Sequence, residues 1–125
     1  MNFKEQAEKI SSYIIEKRRW IHSHAELSFN EKETTAYIAG ELEKMGMEVC
    51  LFSDYYGVIG TIHGDKPGKT VMLRADIDAL PIEEKSGVEF ASHNKGVMHA
   101  CGHDCHSSML LGAARMLAAN QKNFA

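Results

Sequence analysis

Helical periodicity at both ends of the chain, with three short apolar segments between them, predicts an α/β fold. Apolar residues spaced by three and four positions run from Phe3 to Ile21, with charged residues between them, which predicts an amphipathic helix. The segments 47–52, 58–63 and 70–75 are short and rich in β-branched or large apolar residues, as strands are. A chain of 125 residues fits one domain, or part of one.

Two further helices complete the pattern. The second is expected to begin near Asn30, with Asn30 as its cap and Glu33 as the capping-box partner. Its apolar stripe ends at Gly46, a residue suited to the left-handed position that stops a helix. A last helix is expected over 107–120, where leucines and alanines recur at helical spacing.

The last two predicted strands carry further signals in the sequence. The turn-forming residues of 64–68 predict a hairpin between 58–63 and 70–75. The run Val71-Met72-Leu73 shows no polar alternation, so the third strand is expected to be covered on both faces.

Composition excludes several classes of protein. A net charge of −3 with both signs interspersed gives no basic patch for nucleic acid. No run approaches the ~18 apolar residues that span a bilayer, so no membrane partner is expected. The first ten residues are charged from Lys4 onward and lack the apolar core of a signal peptide, so a cytoplasmic location is expected. Three cysteines, an odd number, argue against a disulfide framework.

The first chemical motif lies where the third predicted strand ends. Asp76 and Asp78 share one side if the chain stays extended, and ligands of open α/β sheets bind beyond strand ends. The structural alternative is that Asp78 caps a turn while Asp76 pairs with Arg74 or with a surface lysine.

The second motif is the segment 99–106, which holds three of the seven histidines and two of the three cysteines. Thiolate and imidazole are favoured ligands of zinc and similar metals, and Gly102 allows a tight bend between Cys101 and His103. Asp104 lies where its carboxylate could accept a hydrogen bond from a metal-bound imidazole. A catalytic metal site is the favoured interpretation.

Two other interpretations of this segment stay open. Cys101 and Cys105 could form a redox pair, although the usual spacing of such pairs is shorter by one residue. The five histidines and cysteines of 99–106 also suffice for a four-ligand structural zinc site.

These motifs resemble those of the M20 metallopeptidase family, and most closely its amidohydrolase branch of hippurate hydrolases, N-acyl amino acid amidohydrolases and N-acetyldiaminopimelate deacetylases. The resemblance covers essentially the whole chain. Its most specific parts are 73–81, 98–106, 109–114, 18–22 and 26–28.

The resemblance implies a partial catalytic domain with a zinc-peptidase-like mixed sheet flanked by helices. It implies that Cys101 and His103 are metal ligands and that Asp76 is an active acid beside the metal, which would orient and tune the site rather than attack. It also implies two divalent ions, of manganese, zinc, cobalt or nickel, and hydrolysis of the amide bond of an N-acyl amino acid or a related small peptide-like substrate.

Two positions depart from the branch, namely Cys105 where glycine is usual and Ala25 where proline is usual. Length is the larger departure, because residues 1–125 resemble only the N-terminal part of the catalytic domain. A glutamate pair, further histidine ligands and a dimerisation domain lie beyond this resemblance, so a homodimer is expected only of a full-length form. The 125-residue chain alone is therefore expected to be inactive. The alternative is a truncated metal-binding module with a structural Cys/His site and no catalysis.

Overall fold

A computed structural model describes residues 2–125 of the chain and confirms the α/β fold class. These residues form four α-helices and one two-stranded antiparallel sheet, which packs against the third helix. In chain order the elements are α1 (Phe3–Lys9), α2 (Ser11–Ser23), α3 (Lys32–Lys44), β1 (Glu48–Leu51), β2 (Val58–Thr61), α4 (His103–Ala118) and a short 3-10 helix (Gln121–Asn123).

The predicted first helix is two helices. Ile10, with φ −105° and ψ 11°, departs from helical geometry and separates α1 from α2. The apolar spacing continues across this break because Ile10 and Ile14 both pack over Gly112 of α4, where an added Cβ would come within 2.8 Å of Ile14.

The second predicted helix exists, but the predicted cap is wrong. Its N-cap position is Glu31. The N–H groups of Glu33 and Thr34, which have no partner within the helix, donate to the two carboxylate oxygens of Glu26 at 3.0 and 2.8 Å. A carboxylate with two free oxygens satisfies two N–H groups at once, which a single Asn30 side chain does not. The stop is confirmed, since Gly46 has φ +78° and follows the helix directly.

The predicted third strand and its hairpin are wrong. β1 pairs with β2, from Glu48 opposite Thr61 to Leu51 opposite Val58. The segment 70–75 forms no strand, and its Val71 is 79% exposed. A strand requires a pairing partner, and within residues 2–125 this segment has none. Its apolar residues therefore do not form a strand.

The core forms where α2, α3 and α4 meet. Buried side chains from all three helices make one cluster, namely Ile21, Ile38, Leu42, Leu111 and Ala114. Because α2 packs extensively on α4, the C-terminal end of α2 lies beside the start of α4. None of the helices in residues 2–125 is long and apolar enough to cross a membrane.

A long loop runs from the sheet region back to α4. Its first part pairs with the chain after α2, where the Ala79 amide donates to the Glu26 carbonyl at 2.7 Å. Leu80 and Met98 then exchange backbone hydrogen bonds at 2.9 and 3.0 Å, which closes the intervening residues into a loop. This closure delivers the segment 99–102 to the start of α4.

Candidate metal centre

Helix α4 begins at His103, four residues earlier than expected. Gly102 is the N-cap residue with φ +87°, a conformation that glycine adopts without strain, so the predicted tight bend is present. The hydroxyl of Ser107 donates to the carbonyls of Asp76 (2.9 Å) and His103 (2.8 Å), which ties the acidic segment to the first turn of the helix. His103 is therefore a residue of a helix terminus and not of an extended loop.

One ring nitrogen of His103 is held in place. Its Nδ1 donates to the carboxylate and to the carbonyl of Asp78, each at 2.9 Å. Within residues 2–125 its Nε2 takes part in no hydrogen bond. A histidine held in this way by a carboxylate has a fixed orientation and presents the unprotonated nitrogen that binds a metal.

Asp78 is suited to this task. The Ser28 hydroxyl donates to its other oxygen, and this bond, together with His103, lowers the pKa of Asp78. The residue thus stays an ionised acceptor, and its contacts link the motif at 26–28 to the metal loop.

Asp76 lies in a different environment. Its carboxylate pairs with Arg74 at 2.6 Å and is 44% exposed, as the structural alternative for this residue anticipated. The orienting contact with a candidate ligand, expected of Asp76, is made by Asp78. A direct role of Asp76 in chemistry remains a prediction.

The two cysteines of the motif are both free. Cys101 is exposed, whereas Cys105 is half-buried in the first turn of α4. No disulfide joins them in the structure, so nothing in this geometry favours the redox pair.

A four-ligand structural site is not formed by the described residues. No group of three or more histidine, cysteine, aspartate or glutamate side chains in residues 2–125 is arranged to hold a metal ion. His99 turns inward and is 4% exposed, and neither ring nitrogen has a hydrogen-bond partner. Burial lowers the pKa of His99 to about 4, so its ring is neutral at pH 7.

Asp104 was expected to accept a hydrogen bond from a metal-bound imidazole, but it forms none with the ring of His103. It is buried, and one carboxylate oxygen accepts from Nδ1 of His22 at 2.8 Å and from Nε of Arg18 at 2.9 Å. Burial opposes ionisation, but these two donors outweigh it and hold the pKa of Asp104 below its ordinary value.

His22 and Glu84 were not singled out by sequence reasoning. Nε2 of His22 lies 2.8 Å from a carboxylate oxygen of Glu84, so both ring nitrogens are engaged. Burial would raise the pKa of Glu84, but the His22 ring and the Ser92 amide lower it to about 2. The available signal was the spacing of Arg18 and His22, which places both on one face of α2.

The donors fit a borderline divalent metal. An imidazole with one free nitrogen and an exposed thiol lie two residues apart around a left-handed glycine. Mixed nitrogen and sulfur donors suit zinc, cobalt and related ions. The fold and the loop together define an α/β protein with two candidate metal ligands.

The chain is similar to several known proteins. Residues 72–125 match the model of Peptidase family M20/M25/M40. The chain is 52% identical to Thermostable carboxypeptidase 2 of Saccharolobus solfataricus, over 94% of this chain and 30% of that protein. It is 45% identical to N-acetyl-L-cysteine deacetylase of Bacillus subtilis, over 97% of this chain and 30% of that protein. The crystal structure of Bacillus subtilis YXEP, described as a dinuclear metal binding peptidase from the M20 family, superposes with a TM-score of 0.86 at 42% identity, over 91% of this chain and 32% of that one.

The chain belongs to the M20 family of metallopeptidases and amidohydrolases, as the motifs predicted. It is thus homologous to hydrolases, among them an N-acyl-L-amino acid amidohydrolase. The chain spans about 30% of the length of the curated relatives that it matches.

Proposed function

We propose that this chain contributes Cys101 and His103 to the metal centre of an enzyme that hydrolyses the amide bond of N-acyl amino acids. The observation that carries the proposal is the fixed ring of His103, whose Nδ1 is bound by Asp78 while Nε2 stays free. A ring held by a carboxylate in this way is typical of histidine ligands in zinc enzymes.

Two ligands do not make a catalytic site. Catalytic zinc sites use three protein ligands and an open position for water or substrate. Residues 2–125 contain no third ligand in reach, so we propose that the others come from polypeptide outside these residues. Residues 1–125 are then the N-terminal part of a metal-dependent catalytic domain, and by themselves they hydrolyse nothing at a useful rate.

The chemistry follows from the donor set. Bound divalent ions would polarise the amide carbonyl and lower the pKa of a water molecule. In this chain Asp78 fixes the ring of His103, and Cys101 must lose its proton to bind, so metal uptake releases a proton. Asp76, half-exposed beside Arg74, is the proposed active acid at the edge of this centre.

The names of the relatives support the substrate class. A deacetylase of N-acetyl-L-cysteine and a carboxypeptidase both cleave an amide bond, which is the shared chemistry proposed here. Two divalent ions are proposed from the dinuclear relative, with manganese, zinc, cobalt and nickel as candidates. We propose a cytoplasmic enzyme whose partner is the small substrate.

A chimeric enzyme tests the proposal. Residues 1–125 replace the matching segment of N-acetyl-L-cysteine deacetylase, to which they are 45% identical. We expect metal-dependent hydrolysis of N-acetyl amino acids, lost in Cys101→Ser and His103→Gln and kept in Cys50→Ser, which changes an exposed thiol of β1. Full activity in Cys101→Ser or in His103→Gln would overturn the assignment of the ligands.

The chain alone provides the complementary test. Purified residues 1–125 are assayed on N-acetyl amino acids with Mn²⁺, Co²⁺ or Zn²⁺, and we expect no turnover above the buffer rate. Robust metal-dependent turnover would show that the chain holds a complete site.

A further inference from the structure

His22 is fixed at both ring nitrogens in the interior of the protein. Its side chain is 4% exposed, and its two nitrogens lie 2.8 Å from Asp104 and 2.8 Å from Glu84. Both partners are carboxylates, which accept and do not donate, so each ring nitrogen must carry a proton. His22 is therefore a charged bridge between two anions, and its geometry is that of charge-assisted hydrogen bonds.

The two carboxylates belong to the two segments that carry the candidate ligands. Asp104 is the residue after His103 in the first turn of α4. Glu84 lies in the loop that Leu80 and Met98 close, and Met98 is three residues before Cys101. One side chain of α2 thus holds both segments.

Glu84 in turn organises its own loop. Its second oxygen accepts from the Ser92 amide, and the Ser86 hydroxyl donates to the first. The same loop is fastened to the end of α2 by the His93 amide, which donates to the Ser23 carbonyl at 2.8 Å. Displacing His22 would free Glu84 and loosen the loop at its central attachment.

The surroundings favour a rigid bridge. The ring of Phe90 meets the ring of His22 edge to face at 5.5 Å, and the guanidinium of Arg18 lies 5.0 Å from the Phe90 ring centre. Water is largely kept from the bridge, so its hydrogen bonds are stronger than they would be in solvent.

We propose that His22 is a positioning residue, which locks the first turn of α4, and with it the ring of His103, to the loop that leads to Cys101. Its part in metal binding rests on the function proposed above, whereas its effect on His103 does not. A histidine ring can donate in two opposite directions, to Asp104 and to Glu84. A glutamine at position 22 can keep only one of these two hydrogen bonds, because its donors lie on one terminal amide group.

The metal-free protein gives the first readout. Long-range ¹H–¹⁵N NMR of the histidine rings reports which nitrogen of His103 carries the proton. In the unaltered chain we expect a single Nδ1–H form, held by Asp78, and in His22→Gln a mixture of the two forms. Glu41→Gln is the matched control, because it disturbs a buried ion pair between α2 and α3 that contacts no part of the metal loop.

Metal binding gives the second readout. Co²⁺ bound to a thiolate absorbs in the near ultraviolet, so titration follows the Cys101 ligand directly. We expect His22→Gln to weaken Co²⁺ binding by roughly 10-fold to 100-fold, as loss of residues that hold metal ligands commonly does. Glu41→Gln is expected to bind Co²⁺ as the unaltered chain does.

The outcomes separate the two proposals. A single Nδ1–H form of His103 in folded His22→Gln overturns the positioning role, whatever the metal does. Absence of the thiolate band in the chimeric enzyme that carries residues 1–125 overturns the ligand assignment, while the ring spectra still decide on His22. If His22→Gln does not fold, Glu84→Ala takes its place, since it removes the loop end of the bridge, and an unchanged His103 ring in that variant likewise overturns the proposal.

Discussion

Two charge clusters lie on different faces of α2, and they begin with consecutive residues. Lys17 points to α3, where its ammonium group lies 3.2 Å from the Glu41 carboxylate. Arg18 points to α4, where its guanidinium lies 2.9 Å from the Asp104 carboxylate. The first cluster joins helices only, whereas the second joins a helix to the loop of the candidate metal centre.

The interhelical cluster is complete in itself. Tyr13 donates to Glu41 at 3.0 Å, and the Lys17 ammonium lies 5.0 Å from the Tyr13 ring centre. Burial opposes the charge of Lys17, but hydrogen bonds to Glu16 and Glu41 outweigh it and raise its pKa. Both members of the ion pair stay charged and satisfied.

The comparison teaches that buried charge does not by itself mark a functional site. Both clusters shift pKa values and both are shielded from water. Only the cluster of Arg18, His22, Glu84 and Asp104 attaches to segments that carry candidate ligands, so only its disruption should reach the metal.

Replacing Lys17 should have the largest effect on stability and none on the metal. Lys17→Met removes the buried ammonium group beside Glu41 and leaves that carboxylate with only the exposed Lys44 and with Tyr13, which we expect to cost about 3 kcal/mol of the free energy of unfolding. Urea unfolding measures the loss, with Lys4→Met on the exposed face of α1 as the neutral control. A loss of unfolding free energy no larger than that of Lys4→Met would contradict the stabilising role of the Lys17 cluster. A fall in the Co²⁺ affinity of folded Lys17→Met would contradict the claim that this cluster does not reach the metal.

Replacing Glu84 should have an intermediate effect that depends on pH. Because folding lowers the pKa of Glu84 from 4.5 to about 2, its stabilising contribution is complete above pH 4.5 and is lost as the pH falls toward 2. At pH 7 we expect Glu84→Gln to cost about 2 kcal/mol, the size of a hydrogen bond to a charged group.

Unfolding measurements at acid pH test this prediction of the Glu84 contribution more sharply. The difference in unfolding free energy between the unaltered chain and Glu84→Gln should shrink as the pH is lowered from 4.5 to 2. The exposed neighbour Glu83→Gln is the control and should show no such convergence. A difference that is independent of pH over this range would mean that the charge of Glu84 does not stabilise the loop.

Two glycines should show the smallest effects, with opposite signs. Gly102 has φ +87° and free space around it, so Gly102→Ala adds only backbone strain, about 1 kcal/mol. Gly40 lies inside α3 with equal space and ordinary helical geometry, so Gly40→Ala should stabilise by about 1 kcal/mol. Thermal unfolding measures both, and equal signs would contradict the left-handed cap at the metal loop.

The helices were predictable because their apolar spacing is a local property. The periodicity located α2, α3 and α4 and the stop at Gly46. It missed the start of α4 because the first helical residues, His103 to His106, are polar and show no stripe. It misassigned 70–75 because an apolar run favours burial in a sheet, whereas this segment has no pairing partner within residues 2–125 and lies exposed.

The motifs gave candidate ligands, which stay a prediction, but they did not give the residues that hold those candidates in place. The motifs name Cys101 and His103 as candidates, but contacts across the fold decide which acid holds His103. Asp78 and His103 are 25 residues apart, and His22 and Asp104 are 82 apart. No spacing rule connects such pairs, so Asp78 replaced Asp76 as the orienting acid and His22 went unnoticed.

X-ray absorption of the zinc-loaded protein tests the central claim most directly. We expect the Cys101 sulfur at about 2.3 Å and the His103 nitrogen at about 2.0 Å from zinc. The sulfur should vanish in Cys101→Ser and persist in Cys105→Ser, which removes the half-buried thiol of the same loop. A sulfur neighbour that survives in Cys101→Ser, or none in the unaltered protein, would contradict the account.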